Sequence, residues 1–277
     1  MIKNLLKNRL AVFGGVVIAA LAAIAIFAPL AAPHDPTEID LSRALNAPSA
    51  EHPLGTDALG RDVASRIVYG SRVSLSIGFI AVGISCSIGI ILGAAAGYYG
   101  GWVDAGITRF IDVMLCFPVY FLILAIIAIL GPSIFNIMAI IGFTSWMGIA
   151  RLLRAEILSL KERDFIHAAR ILGASDVWII VRHLIPNAIG PVTVSATLGI
   201  GGAILTESAL SFLGIGVQPP DPSWGNMLKE GMATLGVAWW LMVFPGVIIF
   251  ITVLSYNLLG EGLRDLLEPR LRGANTR

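Results

Sequence analysis

Five stretches of this chain contain no Asp, Glu, Lys or Arg: residues 10–34, 73–103, 113–150, 183–206 and 231–260. A helix needs about 20 apolar residues to cross a hydrocarbon core about 30 Å thick. Four of these intervals therefore hold one crossing each, and 113–150 is long enough for two, so the chain reads as an all-α membrane protein with six transmembrane helices. Charged residues make up only 13% of the sequence, about half the share of a soluble domain. This pattern excludes a soluble enzyme, a disordered chain, a collagen-like fibre and a disulfide scaffold. A β-barrel is disfavoured because its strands alternate polar and apolar residues. Cys86 and Cys116 fall within the apolar intervals without CxxC spacing and read as small apolar residues.

The first span is the run from Leu10 to about Ala31, after Lys3, Lys7 and Arg9. It is longer than the apolar region of a secretory signal, about 7–15 residues. The others lie within Leu75–Gly97, about Asp112–Leu130, Ile134–Leu153, Pro191–Leu213 and Trp239–Gly260, with Gly131-Pro132-Ser133 as the turn between the third and fourth. With the N-terminus inside, 14 of the 19 basic residues fall on the cytoplasmic side, as the positive-inside rule requires. Both termini are therefore expected in the cytoplasm. The sequence divides into a cytoplasmic N-terminus with the first helix (1–32), an extracytoplasmic loop (33–72), a five-helix core (73–260) with a cytoplasmic segment 151–188, and a C-terminal tail (261–277).

No GxxxxGK[ST] phosphate loop, HExxH helix or GxSxG elbow occurs, so nucleotide binding by a phosphate loop and the common hydrolytic chemistries lack their residues. The four histidines, His34, His52, His167 and His183, sit in the soluble segments. A metal site from His34 and His52 with Asp35 or Asp57 is conceivable, but solvated loop histidines are the commoner case.

The cytoplasmic segment is the most specific part. Phe165, Ala168, Ala169 and Leu172 repeat at helical spacing until Gly173, and after Ser175, a candidate helix cap, Val177, Ile180, Val181 and Leu184 repeat it until Pro186. These are two short amphipathic helices meeting at a glycine. The small Ala168-Ala169 pair admits a close backbone, and Arg170, Asp176 and Arg182 offer charged contacts. The unit suits either docking into a partner's groove or lying on the membrane surface.

His167-Ala168-Ala169, then Gly173, with Arg182-His183 and Pro186 following, resembles the EAA loop of ABC importer permeases, with His167 at the position of the motif's Glu. Three further stretches resemble the dipeptide/oligopeptide/nickel permeases: His52–Arg66, Leu210–Gly216 through Pro222–Asn226, and Gly260–Arg270. The resemblance implies a type I ABC importer permease (MetI-like) fold in a bacterial inner membrane. It implies a second homologous permease as heterodimer partner, two cytoplasmic ABC ATPases, and an extracytoplasmic substrate-binding protein. ATP and Mg would be bound by the ATPases, with no cofactor, metal or nucleic acid bound by this chain. Asp164, His167, Ala168, Ala169, Arg170, Gly173, Arg182 and Pro186 would form the ATPase-coupling element.

Within the spans, Glu207 is an isolated carboxylate about 25 Å along the fifth helix if that helix starts near Gly190. It would either line the translocation path or make a helix–helix contact. Gly89, Gly93 and Gly97 form a small-residue stripe for packing within the chain or against the second permease. Asp112 is placed to pair with Arg109, Trp239-Trp240 to anchor at the interface, and Arg61–Ile67 to form a short helix on the outer face. The sequence thus points to a permease subunit for di- or oligopeptides. Nickel is the alternative within the family, and a stand-alone ion-coupled transporter the alternative outside it; a membrane-embedded enzyme lacks its clustered reactive groups.

Overall fold

The computed structural model describes residues 8–267. Lys3, Lys7, Arg270, Arg272 and Arg277, which contribute to the charge asymmetry, lie outside the described residues. The helices are α1 (Arg9–Ile26), α2 (Val63–Tyr99), α3 (Gly101–Leu115), α4 (Val119–Leu130), α5 (Ile134–Leu160), α6 (Asp164–Ile171), α7 (Asp176–Ile179), α8 (Ile185–Phe212), α9 (Trp224–Met232) and α10 (Trp240–Leu267). Among the described residues there is one isolated bridge, Thr56 with Asp62, and no longer strand.

Five segments are each long and apolar enough to cross a membrane; the sixth is the pair α3 and α4, bent by 86° at Cys116-Phe117-Pro118. The expected third span is therefore broken. Its membrane-like part, α4, has 12 residues, about 18 Å of helix, shorter than a hydrocarbon core. Pro118 is the N-cap of α4 with an extended ψ of 122°, consistent with a residue that has no N–H to continue a helical ladder. At the other end of α4, Gly131 makes the expected turn with φ +81°, a region open to Gly without steric penalty.

Helix α2 runs unbroken for 37 residues, about 55 Å, and so projects well beyond the hydrocarbon. The short outer-face helix expected near Arg61–Ile67 is its first turns. Asp62 caps it by accepting from the Ser65 amide at 2.7 Å. The loop 33–62 meets the start of α2, whereas the segment 164–184 meets its end at Tyr98. These two soluble segments consequently lie at opposite ends of the bundle.

The broadest helix contact is between α2 and α5, and it is made by the glycine stripe. A Cβ on Gly89 would fall 2.7 Å from Ile149 Cγ2, one on Gly93 2.6 Å from the Ala150 carbonyl oxygen, and one on Gly97 3.0 Å from the Arg154 carbonyl oxygen. From the other side, a Cβ on Gly142 would fall 2.8 Å from the Ala81 carbonyl oxygen. The stripe is thus spent on internal packing, with the two backbones nearly in contact. Around this pair α8 packs on α2, α5 and α10, and α1 packs on α10 and α2. The core is filled by Ile77, Ile137, Ile204, Leu210 and Trp224.

Near its C-terminal end α5 is tied to α3 by ion pairs, Arg154 with Asp104 and Arg151 with Asp112 at 2.6 Å. Asp112 therefore pairs across helices instead of with Arg109. Crowding two backbone atoms in a fixed interface costs about 1–3 kcal/mol. Gly93→Ala should accordingly lower the thermal stability of the purified protein, whereas Gly83→Ala, where a Cβ meets nothing within 4 Å, should not. Equal melting temperatures for the two variants would contradict this account of the interface.

Candidate coupling groove and translocation cavity

The segment 164–184 is anchored from beneath and open above. Ile166, Ala169, Ile179 and Leu184 are buried in a cluster with Leu153, Ile157 and Ala188 of α5 and α8. Gly173, with φ +80°, turns the chain between α6 and α7, and the Ser175 hydroxyl caps α7 by accepting from the Trp178 amide at 3.4 Å. On the free side Phe165, Ala168, Leu172, Trp178 and His183 line an open groove of about 800 Å³. Leu172 is 87% exposed. Three of the four residues of the expected apolar face thus point outward; Ala169 is buried, and Ile166, off that face, supplies much of the anchoring.

The charged residues of the segment split by role. Arg170 and Asp176 are engaged within the chain: the Tyr98 hydroxyl donates to Asp176 Oδ1 at 2.6 Å, and the Arg170 guanidinium lies 5.4 Å from the centre of the Tyr98 ring. Asp164, His167 and Arg182 are exposed. His183 sits against the Trp178 ring, 4.7 Å between centres. Pro186 does not end the second helix. It lies in the first turn of α8, directly after a helical stretch that it does not interrupt. A π-helical turn, Ile180–Leu184, joins α7 to α8 without a break.

Midway along the bundle, α2, α5 and α8 surround a cavity of about 280 Å³ lined by Ser85, Ser145, Ser195, Thr206, glycines and aliphatic side chains, with no charged residue. Glu207 is outside this lining. It is 0% exposed, its Oε1 accepts from the Ser211 hydroxyl at 2.7 Å, and Ser211 Oγ in turn accepts from the Val217 amide at 2.9 Å. Through Ser211 the carboxylate ties the C-terminal end of α8 to the loop that follows.

The same end of the bundle is held by buried charges. Asp57 accepts from Arg61 Nε at 2.6 Å and from Arg66, and both arginines also reach Glu230. Asp57 and Arg66 are 1% and 2% exposed. The network joins the loop, the start of α2 and α9. Ser223 and Asn226 form a reciprocal capping box on α9. Trp240 is buried and donates to the Thr56 carbonyl at 3.1 Å, leaving Trp239 as the exposed member of the expected aromatic anchor.

In the same loop His52 Nδ1 lies 2.9 Å from Asp62 Oδ1, and His34 Nδ1 lies 3.8 Å from the same oxygen. The two histidines therefore meet at Asp62, and neither Asp35 nor Asp57 completes the group. Beside them, hydrogen bonds from the Thr37 hydroxyl and amide hold the Asp35 carboxyl below the usual carboxylate range, and the Ser42 hydroxyl does the same for Asp40.

A bundle of long apolar helices around a small uncharged cavity, with an apolar docking groove at one end, has the form of a membrane-embedded transport component. The chain belongs to the family of binding-protein-dependent transport system inner membrane components, whose pattern it matches over residues 89–273. Residues 1–48 match the N-terminal transmembrane domain of oligopeptide transport permease C. Among curated proteins it is 46% identical to the dipeptide transport system permease of Alkalihalophilus pseudofirmus, over 98% of this chain and 89% of the relative. It is 41% identical to the glutathione transport system permease of Pectobacterium atrosepticum, over 98% of this chain and 90% of that protein. Among solved structures, an inward-facing form of the MetNI methionine ABC transporter matches with TM-score 0.54 and 19% identity, over 76% of this chain and 96% of that one. An amino acid ABC transporter solved with histidines matches with TM-score 0.52 and 18% identity, over 71% and 90%. At these identities the likeness concerns the fold.

Removing one member of a buried ion network leaves the others uncompensated, at a cost of about 3–5 kcal/mol. Asp57→Asn should therefore sharply lower the yield of folded protein and its melting temperature. Replacing the exposed Glu51, which pairs with Arg43 where both are solvated, should change either by little. Comparable stability of the two variants would contradict a structural role for the network.

Proposed function

We propose that this chain is the permease subunit of an ATP-driven importer of di- and oligopeptides in a bacterial inner membrane, with both termini cytoplasmic. It forms half of the translocation path with a second, homologous permease. Two cytoplasmic ATPases bind ATP and Mg and carry out hydrolysis, and an extracytoplasmic binding protein delivers the substrate to the end built by loop 33–62 and α9. The observation that carries this reading is the exposed apolar groove at Phe165, Ala168, Leu172 and Trp178, fixed to Tyr98 of α2 and continuous with α8.

An ATPase seated in the groove would bury this surface and meet Asp164, His167 and Arg182 at its edge. ATP-driven closure would then pull on α8, and through α2 and α5 alter the walls of the uncharged cavity. A lining of hydroxyls and glycines, without fixed charge, suits a path that takes peptides of varied side chains, since it offers hydrogen bonds while selecting no sign of charge. Two full-length relatives named for dipeptide and glutathione, both short peptides, support the substrate class. In this reading Glu207 acts as a strut at the outer end of α8, and Gly89, Gly93 and Gly97 keep α2 and α5 moving as one body.

Gly173→Val tests the coupling role, because a β-branched residue at φ +80° is strained by about 1–2 kcal/mol. Transport and peptide-stimulated ATPase activity of the reconstituted complex should fall about tenfold or more, and Gly173→Asn, which tolerates left-handed geometry, should retain more of both. Unaltered coupling in Gly173→Val would overturn the role assigned to this turn. In the same vesicles a labelled dipeptide should accumulate with ATP and the cognate binding protein; accumulation of Ni²⁺ with no peptide uptake would refute the substrate assignment.

A further inference from the structure

The outer loop brings together three groups that the transport role leaves unused. His34 follows the first span, His52 lies in the loop, and Asp62 caps α2. Their potential ligand atoms all lie within 4.8 Å of one another, and the two imidazole rings are 4.7 Å apart, centre to centre. A four-coordinate ion with bonds of about 2.0–2.1 Å sets its ligand atoms about 3.3 Å apart. The observed separations of 2.9 and 3.8 Å to Asp62 Oδ1 bracket that value.

The surroundings are those of a held ligand set. His34 Nδ1 is shielded from solvent and has no hydrogen-bond partner, while the His34 amide donates to Ser65 Oγ at 2.9 Å and so fixes the backbone there. Asp62 Oδ2 accepts from the Ser65 amide and hydroxyl, which orients the carboxylate and leaves Oδ1 toward the rings. A cavity of about 150 Å³ adjoins the three residues, and Asp35, Glu38, Asp40 and Glu51 share its wall with one cationic group, Arg43. That excess of carboxylates favours a cation.

We propose that His34, His52 and Asp62 bind a divalent transition-metal ion of the zinc type on the extracytoplasmic face. Two imidazoles and one carboxylate suit such ions and not Mg²⁺ or Ca²⁺, which take oxygen ligands. Arg43 Nη1 lies 3.2 Å from His52 Nε2 and, as a donor only, places the ring proton on Nδ1. Binding moves that proton to Nε2 and turns Arg43 away, while Arg43 keeps its contacts to Asp40 and Glu51. The ion would staple the exit of the first span to the N-cap of α2, at the end of the molecule opposite the coupling groove.

Zinc binding to the detergent-purified, fully assembled transporter, measured by competition with a chromogenic chelator and by elemental analysis, tests this directly. One zinc per copy of this chain is expected, undiminished by excess Mg²⁺ or Ca²⁺. His34→Gln leaves the His52–Asp62 contact in place and should weaken binding at least about tenfold, while His34→Cys, which restores a metal ligand, should recover it. Wild-type affinity no greater than that of His34→Gln, or displacement of zinc by Mg²⁺, would overturn the proposal. Because the readout is bound metal, its failure leaves the peptide-import reading untouched.

Discussion

The near-contact of the α2 and α5 backbones is the constraint on which the rest of the molecule depends. In a membrane the lipid tails are as apolar as the side chains, so association between helices relies on close packing more than on burial from water. The glycines at 89, 93, 97 and 142 supply that closeness, each placed where a Cβ would meet a backbone oxygen or an isoleucine of the other helix. The pair then serves as a rigid beam. One end holds the groove through Tyr98, Leu153 and Ile157, and the other is set by the buried charges around Asp57 and Arg66.

The two ends are built on different chemistry, and each suits its task. The segment 164–184 is anchored by Ile166, Ile179 and Leu184 and presents an exposed apolar surface, of the kind that marks an interaction site. The loop 33–62 is tied to α2, α9 and α10 by ion pairs and by the Trp240 indole N–H, with few large apolar groups exposed around residues 52–62. One end presents an open apolar surface. The other is made to keep its shape.

Much of this was legible in the sequence. Charge-free intervals located the crossings, since charge in the hydrocarbon is costly wherever it lies, and Gly131 and Gly173 marked turns because their positive φ values are local requirements. Ser175 as a cap and the glycine stripe were equally local. What escaped depends on distant partners. In the run 113–130 Pro118 marks a place where a helix can kink, but the size of the bend, 86°, was not legible, because α3 is held by Arg151 and Arg154 from another helix. Arg61 and Arg66 read as part of a short helix on the outer face, and their partner Glu230, far along the chain, is supplied only by the fold. Glu207 looked equally suited to a path or a strut, and its serine partner and 0% exposure place it away from the cavity lining. His34 and His52 offered ligands, but only the fold supplied Asp62.

The central claim is that the outward groove of the segment 164–184 is where the driving force enters this subunit. It is tested most directly by Leu172→Cys in a chain with Cys86 and Cys116 replaced by Ser, studied in the assembled transporter. A short bifunctional thiol cross-linker should join position 172 to an ATPase subunit, and a small maleimide should label it far more slowly in the complex than after the ATPases are stripped. Equally fast labelling in both states, with no cross-link to an ATPase, would contradict the account.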